Sequence, residues 1–193
     1  MTVAASTRTD DIRAAALELF TRNGYTATTM ADIGAAVGMR GPSLYKHVAS
    51  KQDLLVQIMT GTMDALLAAH RAAVATTSDP VERLRRAVDA HVRYHARHRL
   101  EAFVGARELR SLAEPHREAV LRRRDEYERG FRGLVHDGAE AGRFRVQSVR
   151  LASYAILDLG MGIAAWYRAD GELSENEVAW QYTEFALRLV GAG

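Results

Sequence analysis

Four neighbouring side chains, Ser43, Tyr45, Lys46 and His47, can all donate hydrogen bonds. Donors gathered on one short segment suit an anionic partner, because phosphate oxygens accept and base edges carry acceptors. The rest of the basic charge is nearly all arginine: Lys46 and Lys51 are the only lysines among 26 basic residues. A guanidinium fork grips carboxylate or phosphate through two bonds at once. Arg122, Arg123 and Arg124 are consecutive, so on a helix they point about 100° apart and cannot all face one site. His91, His95 and His98 recur at four- and three-residue steps, a spacing that can hold a metal on a helix face. No Glu completes a metalloprotease arrangement and no second ligand cluster is evident. A packed or solvated face is therefore expected there, with no metal and no cofactor.

Enzyme chemistry finds little support. Cysteine is absent, which removes disulfides, zinc–thiolate sites and thiol nucleophiles. The chain has no Gly-rich phosphate loop and no persuasive Ser/His/Asp set, so no catalytic residue is assigned. Net charge is only +2 over 193 residues, and any nucleic-acid contact must rest on locally focused charge. Met1 to Asp11 is small and polar and lacks an apolar signal core. No apolar run reaches the roughly 18–20 residues of a membrane span. Ala152 to Trp166 comes nearest, and it contains Asp158. A soluble, cytoplasmic protein is expected.

Helical periodicity dominates, which predicts an all-α fold of about nine helices. Thr9 is expected to start the first, with Ile12, Ala16, Leu19 and Phe20 inward and Asn23-Gly24 as its stop. Thr29 with Asp32 resembles a capping box and opens a short helix that Gly38 ends. Gly41-Pro42-Ser43 starts another, with Leu44 and Val48 on one face. Ser50 caps a longer helix bearing Leu54, Leu55, Ile58 and Met59. Further helices are predicted from Pro80 to about His98, over Leu100 to Leu112, and from Pro115 until Gly138 and Gly142. Two more run from Ser148 to about Trp166, and onward from the Ser174–Glu177 capping box.

Two short helices joined by a tight Gly turn and backed by a third form a helix-turn-helix. The run Thr29, Ile33-Gly34, Val37-Gly38, Ser43-Leu44-Tyr45-Lys46-His47-Val48, Ser50-Lys51-Gln52-Asp53-Leu54-Leu55 resembles the DNA-binding domain of TetR-family transcriptional repressors. The family usually has Ala where this chain has Gly34, a change that should weaken the helix by about 1 kcal/mol. The resemblance implies residues 1–50 as a DNA-binding domain and 51–193 as an effector-binding and dimerisation domain. It puts Gly41, Pro42, Ser43, Tyr45, Lys46 and His47 at or near the groove of double-stranded operator DNA. Thr29 and Lys51 become backbone-phosphate contacts, while Arg40 either reaches DNA or is solvated.

A palindromic operator needs two copies of such a unit, so a homodimer is expected. In the family the last two helices pair with their mates, and Ser148 to Trp166 is rich in small residues that permit close approach. Phe103, Val104, Leu109, Leu112, Tyr127, Phe131, Met161 and Trp166 either line a ligand cavity or fill a core. The stretch Trp166 to Ser174, with His91–Tyr94 and Arg107–Leu109, resembles a TetR-family subset that senses acyl-CoA thioesters of fatty-acid or sterol breakdown. That resemblance implies Arg168 and a neighbouring arginine on the CoA phosphates, with Trp166 stacking on adenine or bordering the acyl channel; of the Arg122–Arg124 run, Arg124 is taken as the ligand-binding candidate that turns inward. Against it stand Trp166 at a dimer seam and Arg168 paired with Asp170. The expected function is a ligand-responsive repressor released from its operator by an effector. A multidrug-type sensor on the same fold and a helical module without DNA binding are the alternatives.

Overall fold

Side-chain caps set most of the helix starts. The computed structural model describes residues 7–192, so the beginning of the Met1–Asp11 stretch lies outside the described residues. Helix α1 spans Arg8–Asn23 and is capped by Thr7, not Thr9. The reason is reciprocity: Thr7 accepts from the Asp10 N–H, and the Asp10 carboxylate accepts from the Thr7 N–H. Thr9 would have apolar Ile12 in the partner position and could form no such box. Helix α2, Met30–Ala36, starts on the Thr29/Asp32 box. Helix α3, Gly41–Leu44, is a single turn, and hydrogen-bonded turns carry the chain on to Val48. Ile12, Ala16, Phe20, Ile33, Leu44 and Val48 close a small core among these three helices.

The turn between α2 and α3 depends on two glycines. Gly38 has φ 67°, a conformation that other residues adopt at a cost. Gly34 accepts the Met39 N–H at 2.8 Å. A Cβ on Gly34 would sit 2.8 Å from the Met39 carbonyl oxygen. What reads in sequence as a weakened helix is thus the point where the turn folds back onto α2.

Helix α4, Lys51–Val74, starts on Ser50, which accepts the Asp53 N–H at 3.0 Å. It carries the chain from the small core into the body. Helix α5, Pro80–Arg97, packs against α4 and the later helices. Helix α6, Arg99–Arg107, continues as a 3₁₀ turn over Glu108–Ser111. Helix α7, His116–Glu140, runs through Gly138 instead of breaking there. Phe144 folds back against that glycine, where a Cβ would lie 2.0 Å from the ring.

Helices α8, Val149–Trp166, and α9, Glu175–Leu189, complete the fold. The described residues contain nine α-helices and no strand. With 18 residues and a mean hydropathy of 1.2, α8 is the one described helix long and apolar enough to cross a membrane by composition. It packs as a core helix on one side, burying Ala152, Ser153, Ile156, Leu157, Gly160 and Ile163.

Candidate nucleic-acid interface and effector body

The helix-turn-helix positions its donors by burying what lies between them. Leu44 and Val48 are buried, while Ser43, Tyr45, Lys46 and His47 stand exposed. Tyr45 is 55 % exposed. Arg40, Gly41 and Pro42 are exposed just before them. Among the described residues Arg40, Lys46 and His47 form no ion pair. The segment therefore offers a cationic, donor-rich face whose side chains are uncommitted.

Thr29 and Lys51 sit differently from the sequence expectation. The Thr29 hydroxyl donates to Asp32 at 2.7 Å, so its proton is committed to the α2 cap. The Lys51 ammonium turns inward and is not poised on a phosphate. It donates to the carbonyl oxygens of Tyr25 and Thr28, each at 2.7 Å, and lies 4.3 Å from the Tyr25 ring centroid. These carbonyls belong to the loop after α1, so Lys51 ties that loop to the start of α4. Nothing in the sequence spacing distinguishes this from a phosphate contact. Sequence reading also missed Arg8, which donates to the Val37 carbonyl at 2.9 Å and holds the end of α2 against α1.

The centre of the body is filled by rings. Phe131 and Tyr127 are buried, with centroids 5.4 Å apart, and His70 and His91 pack against both. The Nε2–H of His91 donates to the Leu157 carbonyl at 3.1 Å, and its Nδ1 accepts the Tyr127 hydroxyl at 2.9 Å. The carbonyl only accepts, which fixes this tautomer. Burial, with His95 beside it, pulls the His91 pKa down to about 3. Burial and the Arg83 and Arg71 charges pull His70 to about 4. Both rings are neutral near pH 7. His95 donates from Nδ1 to the His91 carbonyl at 2.9 Å, and His98 stacks on Tyr94. The three histidines are thus taken up by packing and hydrogen bonds.

The proposed cavity liners do not converge. Tyr127 and Phe131 are core, and Leu109 packs at the edge of that core. Phe103 lies under the Arg107 guanidinium, 4.1 Å from its ring centroid. Met161, Trp166 and Arg168 lie on the outside of the body. No ion pair joins Arg168 to Asp170 among the described residues.

The arginines of α7 separate cleanly. Arg117, Arg122, Arg123, Arg129 and Arg132 pair with Glu114, Glu118, Asp64, Asp125 and Glu128 respectively. Arg124 alone has no carboxylate partner. It turns inward, on the face shared with Tyr127 and Phe131, and donates to the Gly105 carbonyl of α6 at 2.5 Å. Burial holds its pKa below the ordinary guanidinium value.

A long apolar stripe remains uncovered on α8. Leu151, Ala155, Leu159, Gly162 and Trp166 recur at helical spacing on the side away from the core. Leu151 is 67 % exposed and Trp166 44 %. Trp166 also meets Tyr182 of α9, and Phe185 and Leu189 extend the surface.

Comparison with known proteins matches residues 12–58 to the bacterial regulatory proteins of the tetR family, and 77–190 to the tetracyclin repressor-like C-terminal domain. The transcriptional repressor KstR2 of Mycobacterium tuberculosis is 29 % identical over 184 residues, covering 94 % of this chain and 92 % of that protein. The crystal structure of a tetR-family regulatory protein from Rhodococcus RHA1 superposes with TM-score 0.89 at 34 % identity, covering 98 % and 100 % of the two chains. AibR, solved with isovaleryl coenzyme A and operator DNA, shares the fold with TM-score 0.84 at 24 % identity, covering 97 % and 100 %. The chain belongs to the TetR family of bacterial transcriptional regulators.

Proposed function

We propose that this protein is a cytoplasmic, homodimeric repressor whose first 50 residues grip a palindromic operator, and whose body from residue 51 answers an anionic, largely apolar effector. The class of effector that fits best is an acyl-CoA thioester. The single observation that carries this reading is Arg124: a half-buried guanidinium facing the ring-filled core without a carboxylate. Every other arginine on its helix is neutralised. A half-buried cation without an acid suits an anion, because the Gly105 carbonyl offsets its desolvation only in part and a counter-charge would offset the rest. AibR supports the reading by holding an acyl-CoA and DNA on the same fold.

The exposed side chains Arg40, Ser43, Tyr45, Lys46 and His47 supply the DNA face, with Gly41 and Pro42 letting backbone approach. The α8–α9 stripe suits a second copy of itself, because a two-fold axis brings identical apolar strips together.

The test is a titration of acyl-CoAs into a preformed complex with duplex DNA selected by the protein from a randomised pool. Release of wild type, lost in Arg124→Gln, is the expected result. Arg168→Ala separates an outer contact from the inner one. Release by hydrophobic cations, with no response to any acyl-CoA, would overturn the effector class and leave the multidrug-type reading.

A further inference from the structure

The apolar stripe of α8 is interrupted once, by a charge in its middle. Asp158 follows Leu151 by seven positions and precedes Gly162 by four, so it lies on their line of the helix, and it is exposed. Among the described residues it has no ion pair and accepts no hydrogen bond. Arg150, the other charged residue of α8, is committed within its own helix. Its Nε donates to the Tyr154 hydroxyl at 3.0 Å, and its guanidinium lies 5.5 Å from that ring's centroid.

Helix α9 brings a cation to the same outer surface. The Arg145 N–H donates to the Val190 carbonyl at 2.7 Å, which puts the end of α9 beside the approach to α8. At the other end of α8, Trp166 meets Tyr182. The two helices therefore run in opposite directions. Phe185, Arg188 and Leu189 stand exposed on the last turns of α9, and Arg188 has no ion pair among the described residues. The acids of that helix are taken within the chain, Glu184 by Arg85 and Glu175 by Arg93. One carboxylate and one guanidinium are thus left over beside the stripe.

A face that meets its own copy about a two-fold axis must be complementary to itself, so a charge on it calls for the opposite charge on the same face. Covering Asp158 with apolar surface alone would take a carboxylate out of water unpaired. We propose that Asp158 and Arg188 key this face to a second copy of the chain, each protomer's carboxylate receiving the other's guanidinium in two equivalent pairs. The proposal rests on the dimer reading above and adds what selects the partner. An apolar strip accepts any similar strip. A related chain that lacks either charge leaves the other stranded under the interface and is rejected.

The test is sedimentation equilibrium of the full chain over a dilution series. Wild type is expected to be a dimer. Asp158→Asn and Arg188→Gln are each expected to weaken association by at least about tenfold, because truncating one member of an interfacial charge pair strands the other. Asp158→Arg and Arg188→Asp each bring like charges together twice, and each alone is expected to be monomeric. Mixed one to one, they restore both pairs in a single heterodimer, and association is expected to return. Tighter association of Asp158→Asn than of wild type would mean that the two acids face one another, and would overturn the pair. Reversal variants that dimerise as wild type does would overturn it equally. If a reversal variant fails to fold, the near-isosteric Asn and Gln variants decide the matter. A monomeric wild type sinks the dimer reading and the pair with it, whereas a dimeric wild type with a monomeric mixture sinks the pair alone.

Discussion

Lys51→Met removes a charge while keeping most of the side chain's length. The ammonium makes two short bonds, at 2.7 Å, to the carbonyls of Tyr25 and Thr28. Hydrogen bonds to a charged group contribute about 1.5–3 kcal/mol each when well shielded. These are partly exposed, and water can replace the donor, so the total falls at or below the bottom of the summed range, about 3 kcal/mol. A loss of about 2–3 kcal/mol is expected, including a small term for the ammonium over the Tyr25 ring. Thermal or urea unfolding should show it directly. Affinity for duplex DNA should fall as well, because the loop after α1 loses its tie to α4.

The salt dependence is what separates this role from a phosphate contact. Losing one phosphate contact flattens the slope of log affinity against log salt by about 0.9, hence about 1.8 for a dimer. Lys51→Met is expected to leave the slope unchanged. Lys46→Met is the matched control: that ammonium is exposed and unpaired, and its loss should flatten the slope by about 1.8 with little effect on unfolding. Fluorescence anisotropy between about 50 and 200 mM salt resolves the difference. If Lys51→Met flattens the slope as Lys46→Met does and leaves the unfolding midpoint in place, the inward-turned ammonium is the wrong account.

Stability should fall on acidification through the two buried imidazoles. His70 and His91 titrate at about 4 and about 3 in the folded chain, so between there and an unfolded value near 6.5 only the unfolded state takes the proton. Full stability holds above about pH 6.5. Below it each ring should cost up to about 1.4 kcal/mol per pH unit, and His91→Phe should flatten a plot of urea midpoint against pH. Tyr127→Phe leaves the His91 Nδ1 buried without a donor and should cost about 1–3 kcal/mol in urea unfolding. Leu159→Glu puts a charge in the middle of the α8 stripe, and light scattering should then show monomer where wild type is a dimer. Gly160→Ala would place a Cβ 2.1 Å from the His91 ring and should cost about 1–3 kcal/mol, read in the same urea experiment.

Helix boundaries were largely legible because caps are local chemistry. Thr29/Asp32, Ser50 and Ser174/Glu177 announce three starts within four residues each, and the structure uses all three. Which side chains stand exposed on the helix-turn-helix was legible for a similar reason, since burial of Leu44 and Val48 fixes which way Tyr45, Lys46 and His47 must point. Lys51 was not, because its partners lie 26 and 23 positions earlier on a loop whose path depends on the whole small core. The cavity liners were not legible either. Apolar residues at helical spacing say that a face is buried but not whether rings or a ligand fill the space behind it. On α8 the difficulty is sharper: the helix is apolar nearly all round, so periodicity could not separate the Ile156 side from the Leu159 side. Arg124 did carry a signal. It stands three and seven positions before Tyr127 and Phe131, on the same helical face, but Arg123, four and eight positions before them, shares that face, so spacing excludes only Arg122.

That pattern also explains how a chain of net charge +2 can serve DNA. Charge acts through where it is left unpaired, not through its total. On α5 and α7 the arginines are cancelled at short range: Arg85 by Glu184, Arg86 by Glu82, Arg93 by Asp89 and Glu175, Arg129 by Asp125. Such exposed pairs add little stability, about 0–1 kcal/mol each. Their larger effect is to cancel charge locally along α5 and α7. Among the described residues without an ion pair are Arg40 and Lys46 at the recognition segment, Arg124 inside the body, and the exposed Arg22, Arg110, Arg145, Arg150, Arg168 and Arg188. On the function proposed above, a duplex approaching the dimer would meet positive charge at the two recognition segments, and an anion entering the body would meet it at Arg124. Pairing along α5 and α7 thins the body's field without abolishing it, and each encounter still finds a local positive site made of ordinary charges.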